Sequence, residues 1–330
     1  MKKLIVFIII SIGLWIVLPK QPTLSWGFYG HKRINRMAVF TLPPEMVTFY
    51  KQHIEFITNH AVDPDKRRYG VKGEAERHYI DIDHYGEHAF DSVPKFWKAA
   101  VAKYTEDTLR AYGIVPWQIE KHYYKLVNAF KDENLDLILK YSTELGHYVA
   151  DAHVPLHTTE NYNGQLTNQK GIHGFWESRI PEMKADDYDY FVGRAKYIDS
   201  PIKTAWKVVY DSHQAVDSVL KFEALLNKQF PSDQKYSYEN RGNQMVKVYS
   251  EGYTNAYDLM IKGQVERRMR ESIIVVGSMW YTAWVNAGKP NLNKLGSKEI
   301  SDSLKLQMQK EEELYLQQKN KVIKGHADDE

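Results

Sequence analysis

Apolar residues recur every three to four positions along most of this chain, a spacing typical of amphipathic α-helices. Residues 78–84 instead alternate between polar and apolar positions, which predicts a short extended stretch. Pro155 should end the central helix, because proline lacks the backbone N–H that a helix interior needs. The predicted helices cover residues 31–40, 44–59, 93–112, 116–131, 134 to about 154, 201–226, 236–262 and 264–287. We therefore predict an all-α, single-domain multi-helix bundle.

Residues 1–25 have the composition of a signal peptide. Lys2 and Lys3 precede an apolar run, and small residues up to Ser25 offer a cleavage site. The alternative is an uncleaved membrane anchor, although the apolar run is short for a membrane span. We expect an exported protein, periplasmic or extracellular, with one helical domain over 26–290 and a charged helix or tail over 291–330. Cleavage after Ser25 would leave Trp26 with a free amine, which can chelate a metal together with its own carbonyl, and His31 could complete that site.

The composition limits the chemistry that the chain can perform. Its 330 residues carry a net charge of +2, so no strong field favours binding to duplex nucleic acid. The chain has no cysteine, which excludes disulfides and zinc–thiolate sites. Any metal must therefore be held by histidine, carboxylate or backbone groups. The sequence contains no glycine-rich phosphate loop, nucleophile elbow or internal repeat.

The strongest chemical signal lies at the end of the central helix. His147, Asp151, His153 and His157 fall within eleven residues. His147 and Asp151 lie one helical turn apart on one face, and a kink at Pro155 would bring His157 toward the same pocket. A lone histidine there would more often be a core residue. Several imidazoles and a carboxylate at this spacing are instead typical ligands of zinc or a similar divalent metal.

Further candidate ligands lie on both sides of this segment. Asp63 and Asp65 stand in a proline-containing turn, where helix capping is the alternative role. His173 and Glu177 form another pair at i, i+4. His122 lies among aromatic residues, where a packing role explains it better. In chain order, the candidate ligands are Trp26, His31, Asp63, His78, His147, Asp151, His157, His173 and Glu177.

This ligand set resembles that of the superfamily containing the bacterial zinc-dependent phospholipases C and the plant and fungal zinc nucleases that prefer single strands. The resemblance covers positions 26–177 and implies an all-α fold with three zinc ions per chain. Trp26 and His31 match the ligands of the N-terminal zinc. Asp63, His78 and His147 match those of its close partner, Asp151 matches the carboxylate that bridges the pair, and His157, His173 and Glu177 match the ligands of the remaining zinc.

The resemblance implies a secreted zinc-dependent hydrolase of phosphoric diesters, of the phospholipase C type, in which a metal-bridging hydroxide attacks phosphorus. Asp63 would orient or deprotonate the water, and Asp151 would bridge the metals. Lys66 stands three residues after Asp63, where the nucleases carry a catalytic arginine, and Arg67 is the alternative donor. The alternative function is a single-strand-preferring endonuclease and 3′-nucleotidase with the same zinc site. The expected partner is a phospholipid head group or single-stranded nucleic acid, with peripheral membrane contact as an option, and the expected state is a monomer.

Some features leave the choice of substrate open. Glu177 and the short gap between His157 and His173 lean toward the phospholipases, whereas the other spacings are nuclease-like. His153 occupies a place where the family usually has an uncharged polar residue, so it could compete as a ligand. The non-enzymatic alternative is a zinc-binding or structural helical protein. Aromatic side chains that could receive either bases or acyl chains are Phe28, Tyr29, Tyr69, Tyr162 and Phe175.

Overall fold

A computed structural model of the protein describes residues 26–241 and 244–318, and within these ranges the chain is mostly helical, as the periodicity predicts. The first eight α-helices are α1 (Trp26–Ala38), α2 (Pro44–Gln52), α3 (Ile54–Asn59), α4 (Asp63–Arg67), α5 (Ala89–Ser92), α6 (Trp97–Tyr104), α7 (Glu106–Ala111) and α8 (Val115–Lys131). The next eight are α9 (Leu135–Ala152), α10 (Ile172–Gly174), α11 (Ile180–Lys184), α12 (Pro201–Gln229), α13 (Glu251–Met260), α14 (Gln264–Asn286), α15 (Asn293–Gly296) and α16 (Asp302–Gln318).

Short irregular elements join these helices, and several of them carry candidate ligands. Single 3₁₀ turns lie at Val39–Thr41, His60–Val62, Ala75–Arg77, Ile82–Tyr85, Pro155–Thr158 and Ser232–Gln234, and a π-helical turn lies at Phe175–Arg179. Strand β1 (Tyr236–Arg241) pairs antiparallel with strand β2 (Gln244–Tyr249).

The core forms around α9. This helix is buried along most of its length and packs against α1, α8, α12 and α14. A helix that is apolar nearly all round belongs inside a protein. Its N-terminus is capped by Asn134, whose side chain accepts the N–H of Leu137 at 3.1 Å. It ends at Ala152, three residues before Pro155, as predicted.

α1 comes very close to α9 at Gly146. A Cβ at Gly146 would lie 2.8 Å from Cγ of Asn35, and Asn35 Nδ2 donates to the carbonyl of Thr143 at 3.2 Å. The next residue along α9 is His147, whose ring stacks on that of His31 with centroids 3.8 Å apart. The missing side chain at Gly146 thus allows the approach that brings these two imidazoles together.

The helix predicted over 236–262 is wrong in its first half. Tyr236–Arg241 and Gln244–Tyr249 form the antiparallel strands β1 and β2, and α13 begins only at Glu251. Tyr236 and Tyr238 on β1, and Val246 and Val248 on β2, recur with a period of two, which favours strands over helix.

Two other predicted helices are interrupted. The helix predicted over 93–112 breaks at Thr105, where φ is 68°, and is divided into α6 and α7. The helix predicted over 44–59 is divided at His53 into α2 and α3. Of residues 78–84, which were predicted as extended, residues 79–81 lie outside any helix, whereas residues 82–84 belong to a 3₁₀ turn. Apolar spacing thus located these segments but not their breaks.

The charged C-terminal segment forms a helix, α16, that is not simply exposed. It packs on α4 and buries Leu304 and Tyr315. The Tyr315 ring contacts those of Tyr69 and Phe28, with centroids 5.4 Å and 6.5 Å away. The predicted signal peptide, residues 1–25, lies outside the described residues. None of the helices described in residues 26–241 and 244–318 is long and apolar enough to cross a membrane.

Candidate metal centre

The two carboxylate oxygens of Asp151 face different imidazoles. Oδ1 lies 3.2 Å from Nε2 of His31, on α1. Oδ2 lies 3.0 Å from Nδ1 of His78 and 3.2 Å from Nε2 of His147. One carboxylate therefore joins a group that contains His31 to a group that contains His78 and His147. All four side chains are buried.

The structure places Asp65, rather than Asp63, in this centre. Asp65 Oδ1 lies 3.6 Å from Nδ1 of His78 and 3.5 Å from Nε2 of His147. Asp63 instead pairs with Nδ1 of His60 at 2.8 Å. The expectation that Asp63 is a ligand and orients the water is therefore corrected. The physical reason for this correction is the orientation of α4, which turns Asp65 inward and Asp63 outward.

The spacing of these atoms fits a tetrahedral metal site. Zn–N and Zn–O bonds of about 2.0–2.1 Å place neighbouring tetrahedral ligand atoms about 3.3 Å apart. The imidazole nitrogens of His78 and His147 lie 3.0–3.6 Å from the nearest carboxylate oxygens of Asp65 and Asp151. Nδ1 of His78 lies 3.0 Å from Nε2 of His147. The other oxygen of Asp65, Oδ2, is buried, makes no hydrogen bond within the described residues, and lies 4.0 Å from Nε2 of His31. Buried histidine and carboxylate groups that converge in this way could hold metal ions.

The second cluster contains His157, His173 and Glu177. Oε2 of Glu177 lies 2.7 Å from Nε2 of His173 and 3.3 Å from Nε2 of His157. These residues come from the 3₁₀ turn after Pro155, from α10 and from the π-helical turn. The structure brings these three predicted ligands together, and their atoms also could hold a metal ion.

Backbone carbonyls fix the orientation of two imidazoles. Because a carbonyl can only accept, Nδ1 of His147 donates to Ala61 at 2.8 Å, which leaves Nε2 facing Asp65 and Asp151. In the same way, Nδ1 of His157 donates to the carbonyl of His78 at 2.7 Å. Such bonds set the tautomer that presents a lone pair to a metal. The second bond also links the two clusters directly.

The electrostatics favour charged carboxylates. Burial would raise the pKa of Asp151, but the neighbouring His147 and His31 hold that pKa well below its usual range. Burial would lower the pKa of His147, but the negative charges of Asp151 and Asp65 outweigh burial and raise this pKa to about 9. Burial would also lower the pKa of His157, but the hydrogen bond that its imidazole donates to Glu177, with the charge of that carboxylate, outweighs burial and raises this pKa to about 9. Without metal these imidazoles keep a proton, which a metal would have to displace.

The cations beside the centre are also placed differently from the prediction. Lys66 Nζ lies 2.5 Å from Glu312 on α16 and 3.7 Å from Asp63, so it is not part of the centre. Arg68 is buried, and its Nη1 atom lies 3.9 Å from Oδ1 of Asp65. Arg68 stands three residues after Asp65, the spacing that the prediction applied to Lys66 and Asp63. Moving both assignments two residues along the chain, from Asp63 to Asp65 and from Lys66 to Arg68, therefore corrects the ligand and the cation together.

Arg67, the alternative donor, serves the structure behind the centre. It pairs with Glu144 at 2.9 Å and with Glu74 at 3.3 Å. Glu74 is fully buried, with Oε1 3.8 Å from Nε2 of His78, and His122 bonds to Glu144 at 3.1 Å. Sequence reasoning missed Glu74. The packing role expected for His122 agrees with its place in this buried network.

His153 lies apart from both clusters. Its Nδ1 donates to the carbonyl of Val149 at 2.7 Å, and its own carbonyl accepts from Nε of Arg268. Burial, helped by the charge of Arg268, lowers the pKa of His153 to about 3. His153 is therefore a neutral buried residue. Trp26 is the first residue of α1 and precedes His31 on the same helix. Its side chain lies outside the part of the chain that the structure describes.

The candidate aromatic platforms differ in availability. Phe175 is buried and stacks on Tyr249, with ring centroids 3.9 Å apart. The hydroxyl of Tyr29 donates to Asp186 at 3.1 Å. The Tyr162 ring lies 6.2 Å from that of His173, beside the second cluster. Tyr162 is thus the platform best placed to contact a substrate held there.

Neither the models of known protein families nor the curated proteins contain a match for this chain.

Proposed function

We propose that this protein is an exported, zinc-dependent phosphodiester hydrolase of the phospholipase C type, with three zinc ions per chain. The observation that carries the proposal is Asp151, whose two oxygens face two different histidine groups at 3.0–3.2 Å. A carboxylate shared in this way is what a site for two neighbouring metals requires. The separate cluster at His157, His173 and Glu177 supports a third ion.

Each residue has a role that follows from its position. His31 and the mature N-terminus of Trp26 would hold one ion, Asp65, His78 and His147 would hold its partner, Asp151 would bridge them, and the second cluster would hold the third. Bound zinc would make water nucleophilic near neutral pH and neutralise charge that develops on the phosphoryl oxygens. Arg68, beside Asp65, would donate to those oxygens through its planar guanidinium, and burial of the site would strengthen that contact.

One observation favours the alternative, a single-strand-preferring endonuclease and 3′-nucleotidase. An arginine three residues after the aspartate ligand is the nuclease arrangement, and Arg68 and Asp65 have this spacing. Glu177 in place of aspartate still leans toward the phospholipases. The two functions use the same centre and differ in the group that enters the cleft.

Purified mature protein should be assayed side by side on phospholipid vesicles, single-stranded DNA and RNA, with its metal content measured on the same sample. We expect about three zinc ions per chain, and hydrolysis that a chelator abolishes and zinc restores. Cleavage of lipid alone would support the phospholipase, and cleavage of nucleic acid alone would support the nuclease. One zinc ion or none per chain would contradict the trinuclear centre.

A further inference from the structure

The C-terminal helix α16 lies over the segments that begin the metal centre. Glu312 pairs with Lys66 on α4, the residue directly after Asp65. Tyr315 packs against Phe28, in the first turn of α1, the helix that carries His31 further along. α16 therefore packs on α4, which carries Asp65, and its Tyr315 contacts the start of α1, the helix that carries His31.

Few buried apolar side chains hold α16 in place. Of its 17 residues, only Leu304 and Tyr315 are buried. Glu311 lies 3.3 Å from Arg67 and 3.9 Å from Lys140. Partly exposed ion pairs contribute little and are screened by salt. An element with few buried apolar contacts belongs to the part of a protein that opens most easily.

The interface between α16 and α4 is also incomplete. A cavity of about 310 Å³ lies between the body of the protein and this helix. Its lining residues are mostly charged or polar: His60, Asp63 and Lys66 on the body, and Lys305, Met308, Gln309, Glu311 and Glu312 on α16. A space of this size is large enough to admit water, unlike the close-packed core.

The two ends of α16 are attached differently. At its start, Ser301 donates its backbone N–H to Asp136 at 3.0 Å, and its hydroxyl oxygen accepts the N–H of Leu304 at 3.2 Å. Asp136 belongs to the first turn of the core helix α9. The start of α16 is thus fixed to the core, while its far end is held by side-chain contacts to α4 and α1.

We propose that α16 is a gate that sets which substrates reach the metal centre. The helix pivots near Ser301, its far end leaves α4, and a bulky phosphodiester enters beneath it. The proposal rests on the proposed function for the chemistry of the substrate, but the movement can be tested without it. A small soluble diester needs less movement than a lipid in a vesicle, so the gate should discriminate between them.

A reversible disulfide between positions 70 and 314 tests the movement. A Cβ at Gly70 would lie 2.5 Å from Cγ of Leu314, so the Cβ atoms of a Gly70→Cys, Leu314→Cys variant are within reach of a disulfide. The chain has no other cysteine to interfere. We expect oxidation to slow both vesicle hydrolysis and zinc removal by a chelator at least about tenfold, and dithiothreitol to restore both. Equal rates in the oxidised and reduced protein would overturn the gate. The reduced double variant controls for the substitutions, because Gly70→Cys alone would press on Leu314.

A charge reversal tests the latch without a crosslink. Glu312→Lys should repel Lys66 and release the far end of α16, whereas Glu313→Lys makes the same change on the exposed side of the helix. We expect faster proteolysis within α16 and faster zinc loss for Glu312→Lys only. The same rates for both variants would overturn the latch. If no variant hydrolyses any diester, the proposed function fails, while proteolysis still decides whether α16 opens.

Discussion

The Asp151 cluster and the His157 cluster are built in different ways. The first collects side chains from α1, α4, the segment after the Ala75–Arg77 turn, and α9, which are far apart in sequence and meet only in the core. The second comes from residues 157–177 alone, held by a 3₁₀ turn and a π-helical turn. Core packing therefore fixes the first cluster, and local backbone geometry fixes the second. A substitution in one cluster should therefore change hydrolysis and zinc content differently from a substitution in the other.

The bridge between the histidine groups should be the most sensitive position. Asp151→Asn keeps the size of the side chain but removes the charge that faces His31, His78 and His147. We expect hydrolysis to fall on the order of 10³-fold or more, and zinc content to fall by two ions, while circular dichroism shows a preserved fold. Retained hydrolysis would rule out Asp151 as the bridge.

The two neighbouring aspartates give a matched pair of variants. Asp65→Asn should lower hydrolysis by roughly 10²-fold or more because it faces His78 and His147. Asp63→Asn breaks only the contacts with His60 and Lys66, so its activity should stay within a few-fold of the parent. Activity and zinc content of the two variants, measured in parallel, check this. The reverse order would restore Asp63 as the ligand.

Glu177→Gln should affect the second cluster alone. We expect loss of about one zinc ion and a fall in hydrolysis of roughly 10²-fold, with the Asp151 cluster still loaded. Metal analysis, together with crystallography of the variant, would show which ion is missing. Loss of all three ions would mean that the clusters depend on each other, and the hydrogen bond from His157 to the His78 carbonyl would connect them.

The last expected effect is on pH dependence, and it should be shared by both clusters. Without metal, the pKa values of His147 and His157 rise to about 9 in the folded chain, against about 6.5 when unfolded. The folded state then binds more protons, so the free energy of unfolding should fall as pH rises from about 6.5 to about 9. Urea unfolding at both pH values, with and without zinc, measures this. A loss of the same size in the zinc-loaded protein would contradict it, because bound imidazoles carry no proton to lose.

Local spacing predicted only part of the centre, and the resemblance of the ligand set supplied His31 and His78. His147 and Asp151 share a helix face, and His173 and Glu177 have the same spacing, so periodicity alone pairs them. The choice between Asp63 and Asp65 could not be made in this way, because α4 has five residues and too few turns to show which side faces inward. The error at Lys66 followed from that choice.

Parts of the fold escaped prediction for a related reason. The period-two spacing on β1 and β2 extends over only six residues in each strand, which is too short to stand out from the helical pattern on either side. Glu74 lies in a loop and becomes important only when folding places it behind His78. The packing of α16 on α4 depends on ion pairs between residues distant in sequence, which no local pattern encodes.

Gly146 has a consequence for anyone who wishes to transplant or redesign this centre. Its hydrogen acts as a spacer that sets how far His31 stands from His147, because α1 touches α9 there. A graft that copied every ligand but placed alanine at this point would widen the gap between the helices, and the copied ligands would no longer share one carboxylate. The sequence requirements of the centre thus include a glycine that is not itself a ligand.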